Sequence, residues 1–186
     1  METANKNIYI VLTYTGTLLS KIIKLYTKKE FSHVSIALDQ NLIRMYSFGR
    51  LNPYNPFVGG FIREGINKGT FKRFKKTQAL ILKLEVTEDQ HMQIRSEIKK
   101  FIAKRKTYRF NILGLCYVLF NKKREKENYF YCAEFVKYLL QKANVVEVLP
   151  NVIKPEDFIK IENKKTIYKG KLNEFRLMNK IGQLQA

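Results

Sequence analysis

Cysteine and histidine are scarce in this chain of 186 residues, which has two of each. A chain of this length with 45% hydrophobic residues can bury a core without disulfides, so we expect Cys116 and Cys132 to be free thiols in a reducing compartment. The cysteines and histidines are scattered and provide no close pair of metal ligands. No glycine motif for phosphates or dinucleotides is present either. The sequence therefore favours a protein with no metal site and no cofactor.

Long apolar runs are also missing. The longest covers residues 112–120 and is far shorter than the roughly 20 residues needed to cross a bilayer, so it predicts a buried helix. The apolar run at residues 8–12 is too short for the core of a signal peptide, and we expect a cytoplasmic protein. The length predicts one domain that spans residues 1–186.

Acidic residues are few, with 16 Asp and Glu against 35 Lys and Arg, which gives a net charge of +19. Such an excess favours anionic partners, including nucleic acid, anionic lipid headgroups, cell-wall polymers or an acidic substrate. The basic segments are residues 72–76 and 99–109, and the second interleaves Phe101 and Tyr108 with its charges. One hypothesis is therefore a nonenzymatic basic module that binds nucleic acid or an anionic membrane surface. Helical periodicity explains Phe101 equally well as a core residue.

Hydrophobic periodicity and turn signals predict a mixed order of strands and helices. Strands are expected at residues 7–14, 33–38, 42–48, 79–86 and 166–169, and helices at residues 18–26, 87–103, 111–120 and 132–143, with a helical turn from Pro155. A tight turn at residues 39–41 joins two of the strands into a hairpin. Residues 49–60 contain two prolines and three glycines and predict an ordered loop, and residues 121–128 predict a charged loop. This order favours an α+β fold with a central antiparallel sheet.

Cys132 is the first candidate for chemistry because it begins a predicted helix. A thiol becomes a nucleophile when it is ionised, and a helix N-terminus and an adjacent imidazole both favour the thiolate. Cys132 also lies on an apolar stripe four residues before Val136, where a buried structural thiol would be ordinary. The segment by itself is compatible with both interpretations.

His33 is the better of the two possible partners for this thiol. It opens an otherwise apolar strand, which is a rigid platform from which an imidazole can face a nucleophile. His91 lies near the start of a predicted helix among polar residues and is interpreted as a surface or half-buried side chain. A single histidine in a strand is still more often structural than catalytic.

Residues 31–39 read FSHVSIALD and residues 129–136 read YFYCAEFV. These two segments resemble the histidine strand and the nucleophile helix of the circularly permuted NlpC/P60 superfamily of papain-like enzymes. Residues 8–14 and 18–26 are similar to the entry strand and helix of the YiiX-like branch, and residues 155–158 to its turn after the cysteine helix, so the resemblance covers most of the chain. As in the permuted group, the histidine precedes the cysteine. The resemblance implies a permuted papain-like fold whose sheet packs against the nucleophile helix, and Cys132 and His33 as nucleophile and base.

The resemblance also implies a third polar residue that orients the imidazole from the strand after the histidine. The expected place falls near residues 45–47, where Met45 is unsuitable and Ser47 is the first candidate. Glu64 is the alternative if the predicted loop folds back. Without a carboxylate the imidazolium would be less supported, which leaves slow turnover or a lost activity open.

The implied reaction is cysteine-dependent hydrolysis or acyl transfer at an amide or ester bond. Its oxyanion would be held by the Cys132 amide and a second donor, for which the candidates are the hydroxyls of Tyr14, Tyr129 and Tyr131. Arg50 is the candidate for holding an anionic group of the substrate at the cleft edge. Peptides, cell-wall stems and lipid esters all remain possible substrates at this stage.

Overall fold

A six-stranded antiparallel sheet forms the centre of the fold in the computed structural model, which describes residues 5–52, 55–124 and 126–175. The strands are β1 Lys6–Tyr14, β2 His33–Ala37, β3 Met45–Asn52, β4 Asn55–Glu64, β5 Gln78–Val86, β6 Arg109–Phe110, β7 Tyr129–Phe130 and β8 Lys164–Lys171. The helices are α1 Leu18–Thr27, α2 Gly69–Arg73, α3 Glu88–Ala103, α4 Ile112–Leu119 and α5 Cys132–Lys142, with a 3-10 turn at Pro155–Lys160. The sheet order is β4-β3-β2-β1-β5-β8, and β6 and β7 form a separate parallel pair. The α+β prediction with an antiparallel sheet is confirmed.

Strand β1 lies inside the sheet between β2 and β5 and is buried on both faces. Ile8, Ile10 and Leu12 point to one face, whereas Tyr9 and Val11 point to the other. Because every side chain from residue 8 to residue 13 is buried, the strand is a nearly continuous apolar run with little polar alternation.

Helices α3 and α5 cover the first face of the sheet. Helix α5 contacts β2 and β3, and α3 contacts both α5 and β1. The ring of Phe135 from α5 lies 5.5 Å from that of Phe48 in β3 and 5.0 Å from that of Phe101 in α3, measured between centroids. These contacts fix α5 against the sheet, and with it the position of its first residue, Cys132.

The opposite face is covered by a smaller apolar cluster. Phe71 of α2 packs there with Met45 of β3, and Leu172 and Phe175 from the end of the described chain join them. Helix α2 was not predicted, because five residues with three basic or polar side chains carry too little periodicity to signal a helix.

Residues 49–52 and 55–60 lie in two paired strands of a β-hairpin, so the predicted ordered loop is wrong. Strand β3 continues to Asn52 and β4 returns from Asn55, with Gly49 opposite Gly60 and Arg50 opposite Gly59. A Cβ atom on Gly59 would lie 2.8 Å from the side chain of Phe110. The glycine there permits close packing against β6, although in the sequence it reads as a turn signal.

Helix α4 is also different from the prediction of a buried helix. Asn111 caps it by accepting a hydrogen bond from the Gly114 amide at 2.8 Å, but Leu113, Tyr117 and Phe120 are exposed. Among the described residues, no helix has the length and apolar character required to cross a membrane.

Candidate active site

Cys132 is the first residue of α5 and its side chain faces the interior, with 5% of the residue exposed. The Glu134 carboxylate accepts a hydrogen bond from the Tyr131 amide at 3.1 Å and so fixes the start of the helix. Amides in the first turn of a helix have no partners within the helix, and they place partial positive charge beside the thiol. Cys132 and the exposed Cys116 are both free thiols.

His33 is the first residue of β2 and pairs with Thr13 of β1. Its side chain is 19% exposed, so the ring lies at the end of a buried strand with one edge open to a pocket. The strand register fixes the ring, because Val34 and Ile36 are fully buried on the other face.

A carboxylate and a hydroxyl contact the His33 ring. The Oε2 atom of Glu64 lies 3.1 Å from Nε2 of His33, and Ser35 Oγ lies 3.3 Å from the same nitrogen. The Ser35 hydroxyl donates a hydrogen bond to Glu64 Oε2 at 2.5 Å. The Glu64 side chain is only 10% exposed, so its carboxylate has little contact with solvent and interacts with His33 and Ser35.

Small residues on β3 allow Glu64 to reach across the sheet. Glu64 is opposite Met45, and Met45 is opposite Ala37, so alternation places Ser35 and His33 on the same face. On that face β3, which lies between β2 and β4, carries Ser47 and Gly49. A Cβ atom on Gly49 would lie 3.6 Å from Cε1 of His33 and 2.9 Å from the end of the Ile62 side chain. The close approach is therefore to Ile62, whereas the contact with the imidazole would be an ordinary van der Waals contact.

The surroundings of His33 favour its protonated form. Burial would lower the pKa of His33, but the negative charge of Glu64 and interactions with Cys132 and Glu64 outweigh burial and raise the pKa to about 10. The imidazole is therefore held as an imidazolium near neutral pH, in contact with a carboxylate and beside the thiol of Cys132.

Cys132, His33 and Glu64 line one cavity of about 70 Å³. Helix α1 forms one wall through Ser20 and Ile23, and Leu115 of α4 contributes a further part. A cavity of this size admits the reacting group of a substrate but encloses no large molecule. The rest of a substrate must lie outside, along the surface around the pocket.

Comparison of the chain with protein-family models and with curated proteins found no match to either. The assignment to the permuted NlpC/P60 superfamily therefore stays a prediction from the two sequence segments. The described residues contain no cluster of three or more His, Cys, Asp or Glu side chains placed to hold a metal ion. The arrangement of Cys132, His33 and Glu64 is the basis for a functional assignment.

Ser47, the first candidate for orienting the histidine, is placed elsewhere. Its hydroxyl is fully buried and donates a hydrogen bond to the Val34 carbonyl at 2.6 Å, which ties β3 to β2. The structure brings Glu64 to His33 instead. The order of preference between the two candidates was wrong because β4 was taken for part of a loop.

The three candidate tyrosines do not line the pocket in the described part of the chain. The Tyr131 hydroxyl is buried and donates a hydrogen bond to the Ile153 carbonyl at 3.0 Å. Tyr129 lines a different surface depression, and its ring lies under the Lys126 ammonium. Tyr14 is half-buried, and Lys24 lies over its ring. Of the residues proposed to donate to the oxyanion, Cys132 is the one that lines this pocket in the described part of the chain.

Arg50 lines the pocket as predicted for a residue at the cleft edge. Burial and the nearby Arg73 guanidinium lower the pKa of Arg50, whereas the negative charge of Glu64 raises it. An arginine stays charged despite such a shift, so Arg50 places a positive charge at the mouth of the site.

Ser35 was missed by the sequence analysis. It lies two residues after His33, and the period of a strand places both side chains on one face, so the alternation contained the necessary signal. Thr13, the cross-strand neighbour of His33, is fully buried, and its hydroxyl has no hydrogen-bond partner among the described residues.

Proposed function

We propose that this protein is a cysteine-dependent hydrolase or acyltransferase of the permuted papain-like NlpC/P60 kind, acting on an amide or ester bond. One observation carries the proposal: a thiol at a helix N-terminus shares a pocket with an imidazole that a largely buried carboxylate contacts. Nucleophile, base and orienting group are the three parts that covalent acyl-transfer catalysis requires.

In the first step, the Cys132 thiolate attacks the substrate carbonyl carbon and forms a new C–S bond. The negative charge that develops on the carbonyl oxygen is stabilised by the amide of Cys132 at the start of α5. As the C–N or C–O bond breaks, His33 transfers its proton to the leaving nitrogen or oxygen. A thioester on Cys132 and a neutral imidazole result.

In the second step, water or an acceptor hydroxyl or amine attacks the thioester while His33 takes its proton. The C–S bond breaks, the acyl group leaves as an acid, ester or amide, and the imidazolium and thiolate are restored. Glu64 stays ionised throughout and holds the ring in one orientation through Nε2. Ser35 fixes that carboxylate in turn.

Thiol alkylation tests the activated pair with an internal control. Cys116 is exposed and Cys132 is buried, so accessibility alone predicts that Cys116 reacts faster. At pH 6 we expect Cys132 to react faster than Cys116 with a small reagent such as iodoacetamide, mapped by mass spectrometry. In His33→Ala this preference should be lost, with Cys116 unchanged.

The chemistry itself is tested with activated acyl esters and thioesters as probes. We expect wild type to accumulate an acyl group on Cys132, seen as a mass increase, and Cys132→Ser to accumulate none at that rate. Slow, equal alkylation in wild type and His33→Ala, with no acylation, would overturn the proposal. The nonenzymatic basic module would then be the better account, and its binding would depend steeply on salt and survive loss of Cys132.

A further inference from the structure

Helices α1 and α4 each expose a stripe of apolar side chains. On α1 the stripe is Leu18, Ile22 and Leu25, and on α4, with the residue that follows it, the stripe is Leu113, Tyr117 and Phe120. In both helices the spacing is i, i+4, i+7, which places the three residues on one face. Leu25 is 75% exposed and Phe120 is 71% exposed, so these are not the edges of buried side chains.

The two helices contact each other and flank the candidate active site. Their opposite faces line the pocket through the buried Ser20 and Ile23 of α1 and the half-buried Leu115 of α4. We call the six exposed residues of the two stripes the docking face. An exposed apolar surface of this kind, beside a pocket that holds only the reacting group, is typical of an interaction site.

Basic residues are concentrated in the two segments that carry the docking face. Residues 15–29 contain Lys21, Lys24, Lys28 and Lys29 and no acidic residue, and residues 111–124 contain three basic residues and no acidic one. Lys21 and Lys28 are exposed. Lys21 lies beside the α1 stripe by helical geometry, and Lys28 follows the helix directly as its C-cap residue. An apolar stripe beside lysines matches the boundary between acyl chains and anionic headgroups, where apolar side chains enter the membrane and ammonium groups stay at its surface.

We propose that the docking face binds the surface of an anionic lipid bilayer and holds the pocket of Cys132 against it. A nucleic acid would use the charges and could stack on the two aromatic rings, but it would leave the four exposed aliphatic side chains in water. A second copy of this chain would bring two strongly basic surfaces together, which a net charge of +19 opposes. An anionic bilayer satisfies both the apolar and the charged part of the surface.

Membrane binding by this face does not require the proposed chemistry. Cys132→Ala should bind vesicles as wild type does, so failure of the catalytic proposal and failure of this one are distinguishable. If both hold, the enzyme would meet its substrate at the bilayer surface.

Vesicle co-sedimentation of the full chain tests the proposal. The probes are vesicles of phosphatidylcholine and phosphatidylglycerol at about three to one, and vesicles of phosphatidylcholine alone. We expect strong binding to the anionic vesicles and much weaker binding to the phosphatidylcholine vesicles. The double variant Leu25→Ser/Phe120→Ser should bind anionic vesicles at least about tenfold more weakly, because two large apolar side chains no longer leave water on binding. Lys21→Gln/Lys28→Gln should weaken binding about tenfold or more at low salt.

Matched controls remove the same kinds of side chain from elsewhere. Ile43→Ser/Val148→Ser loses two exposed apolar residues outside α1 and α4, and Lys75→Gln/Lys76→Gln loses two exposed lysines from the other basic segment. Both controls should bind as wild type. Equal weakening in a control and its matched variant would overturn the proposal. A wild-type dimer in sedimentation velocity that Leu25→Ser/Phe120→Ser abolishes, without vesicle binding, would overturn it in favour of a second copy.

Discussion

The Oε2 atom of Glu64 lies 3.1 Å from Nε2 of His33, although β4 and β2 are separated in the sheet by β3. The contact exists because the β3–β4 hairpin folds Glu64 back onto the face that carries His33, and because Ser47 and Gly49 are small. Glu64 therefore provides the carboxylate next to His33, because neither β2 nor β3 contains an acidic residue.

Replacing Glu64 by glutamine should lower the pKa of His33 from about 10 toward its ordinary value of 6.5. The substitution preserves side-chain size and removes the negative charge, and we expect a fall of about 1 to 3 pH units. NMR titration of the imidazole protons measures it directly. His91, which lies in α3 and whose pKa is lowered mainly by burial, serves as the internal reference and should not move. An unchanged His33 pKa would show that Glu64 does not control the imidazolium.

The raised pKa of His33 should make the folded state lose stability as pH rises. The folded protein keeps the proton up to about pH 10, whereas the unfolded chain releases it near 6.5. The stabilising contribution is therefore full below about pH 6.5 and is lost progressively up to pH 10, by at most about 1.4 kcal/mol for each pH unit.

Denaturant unfolding of wild type and His33→Gln across this range isolates the contribution. Lysine and tyrosine titrations are common to both proteins, so the difference in free energy of unfolding between them reports on His33. We expect that difference to change steadily in favour of the variant from pH 6.5 to pH 10. A constant difference would contradict the predicted proton linkage.

Ser35 and Ser47 should have separable roles. Ser35→Ala removes the hydrogen bond to Glu64 and the contact with His33, so acylation of Cys132 should slow about tenfold while the fold survives. Ser47→Ala removes a buried bond to the Val34 carbonyl and should lower the free energy of unfolding by about 1 kcal/mol, with the alkylation rate of Cys132 unchanged. Slower chemistry in Ser47→Ala than in Ser35→Ala would reverse the assignment.

Tyr131→Phe should destabilise the protein without slowing the chemistry. The hydroxyl donates to the Ile153 carbonyl, and its loss should cost about 1 to 2 kcal/mol in thermal or denaturant unfolding. Tyr129→Phe, at a half-buried position away from the pocket, is the control and should change neither quantity. A large fall in acylation rate with Tyr131→Phe, at unchanged stability, would return this hydroxyl to the list of oxyanion donors.

Elements with strong periodicity were predictable from the sequence because local patterns encode them. The apolar runs of β1 and β5 and the Thr87 capping box of α3 appear in the structure within one or two residues of the predicted bounds. Cys132 at the start of α5 and His33 at the start of β2 were also placed correctly. In each case neighbouring residues in the chain carry the whole signal.

Features that depend on distant partners were not predictable in this way. The prolines and glycines of residues 49–60 indicate a loop, but pairing of β4 with β3 and packing of Gly59 against Phe110 override that preference. The exposed stripe of α4 was read as core, because an apolar helix face looks the same in the sequence whether or not another element covers it.

The sequence by itself determined the antiparallel α+β character, the positions of the thiol and the imidazole at element starts, and the large positive charge. Only the tertiary structure decided that Glu64 contacts His33, that Ser47 serves packing, and that α1 and α4 expose their apolar stripes beside the pocket. Local periodicity depends on residues a few positions apart, whereas these contacts join segments that the chain brings together only when the sheet closes.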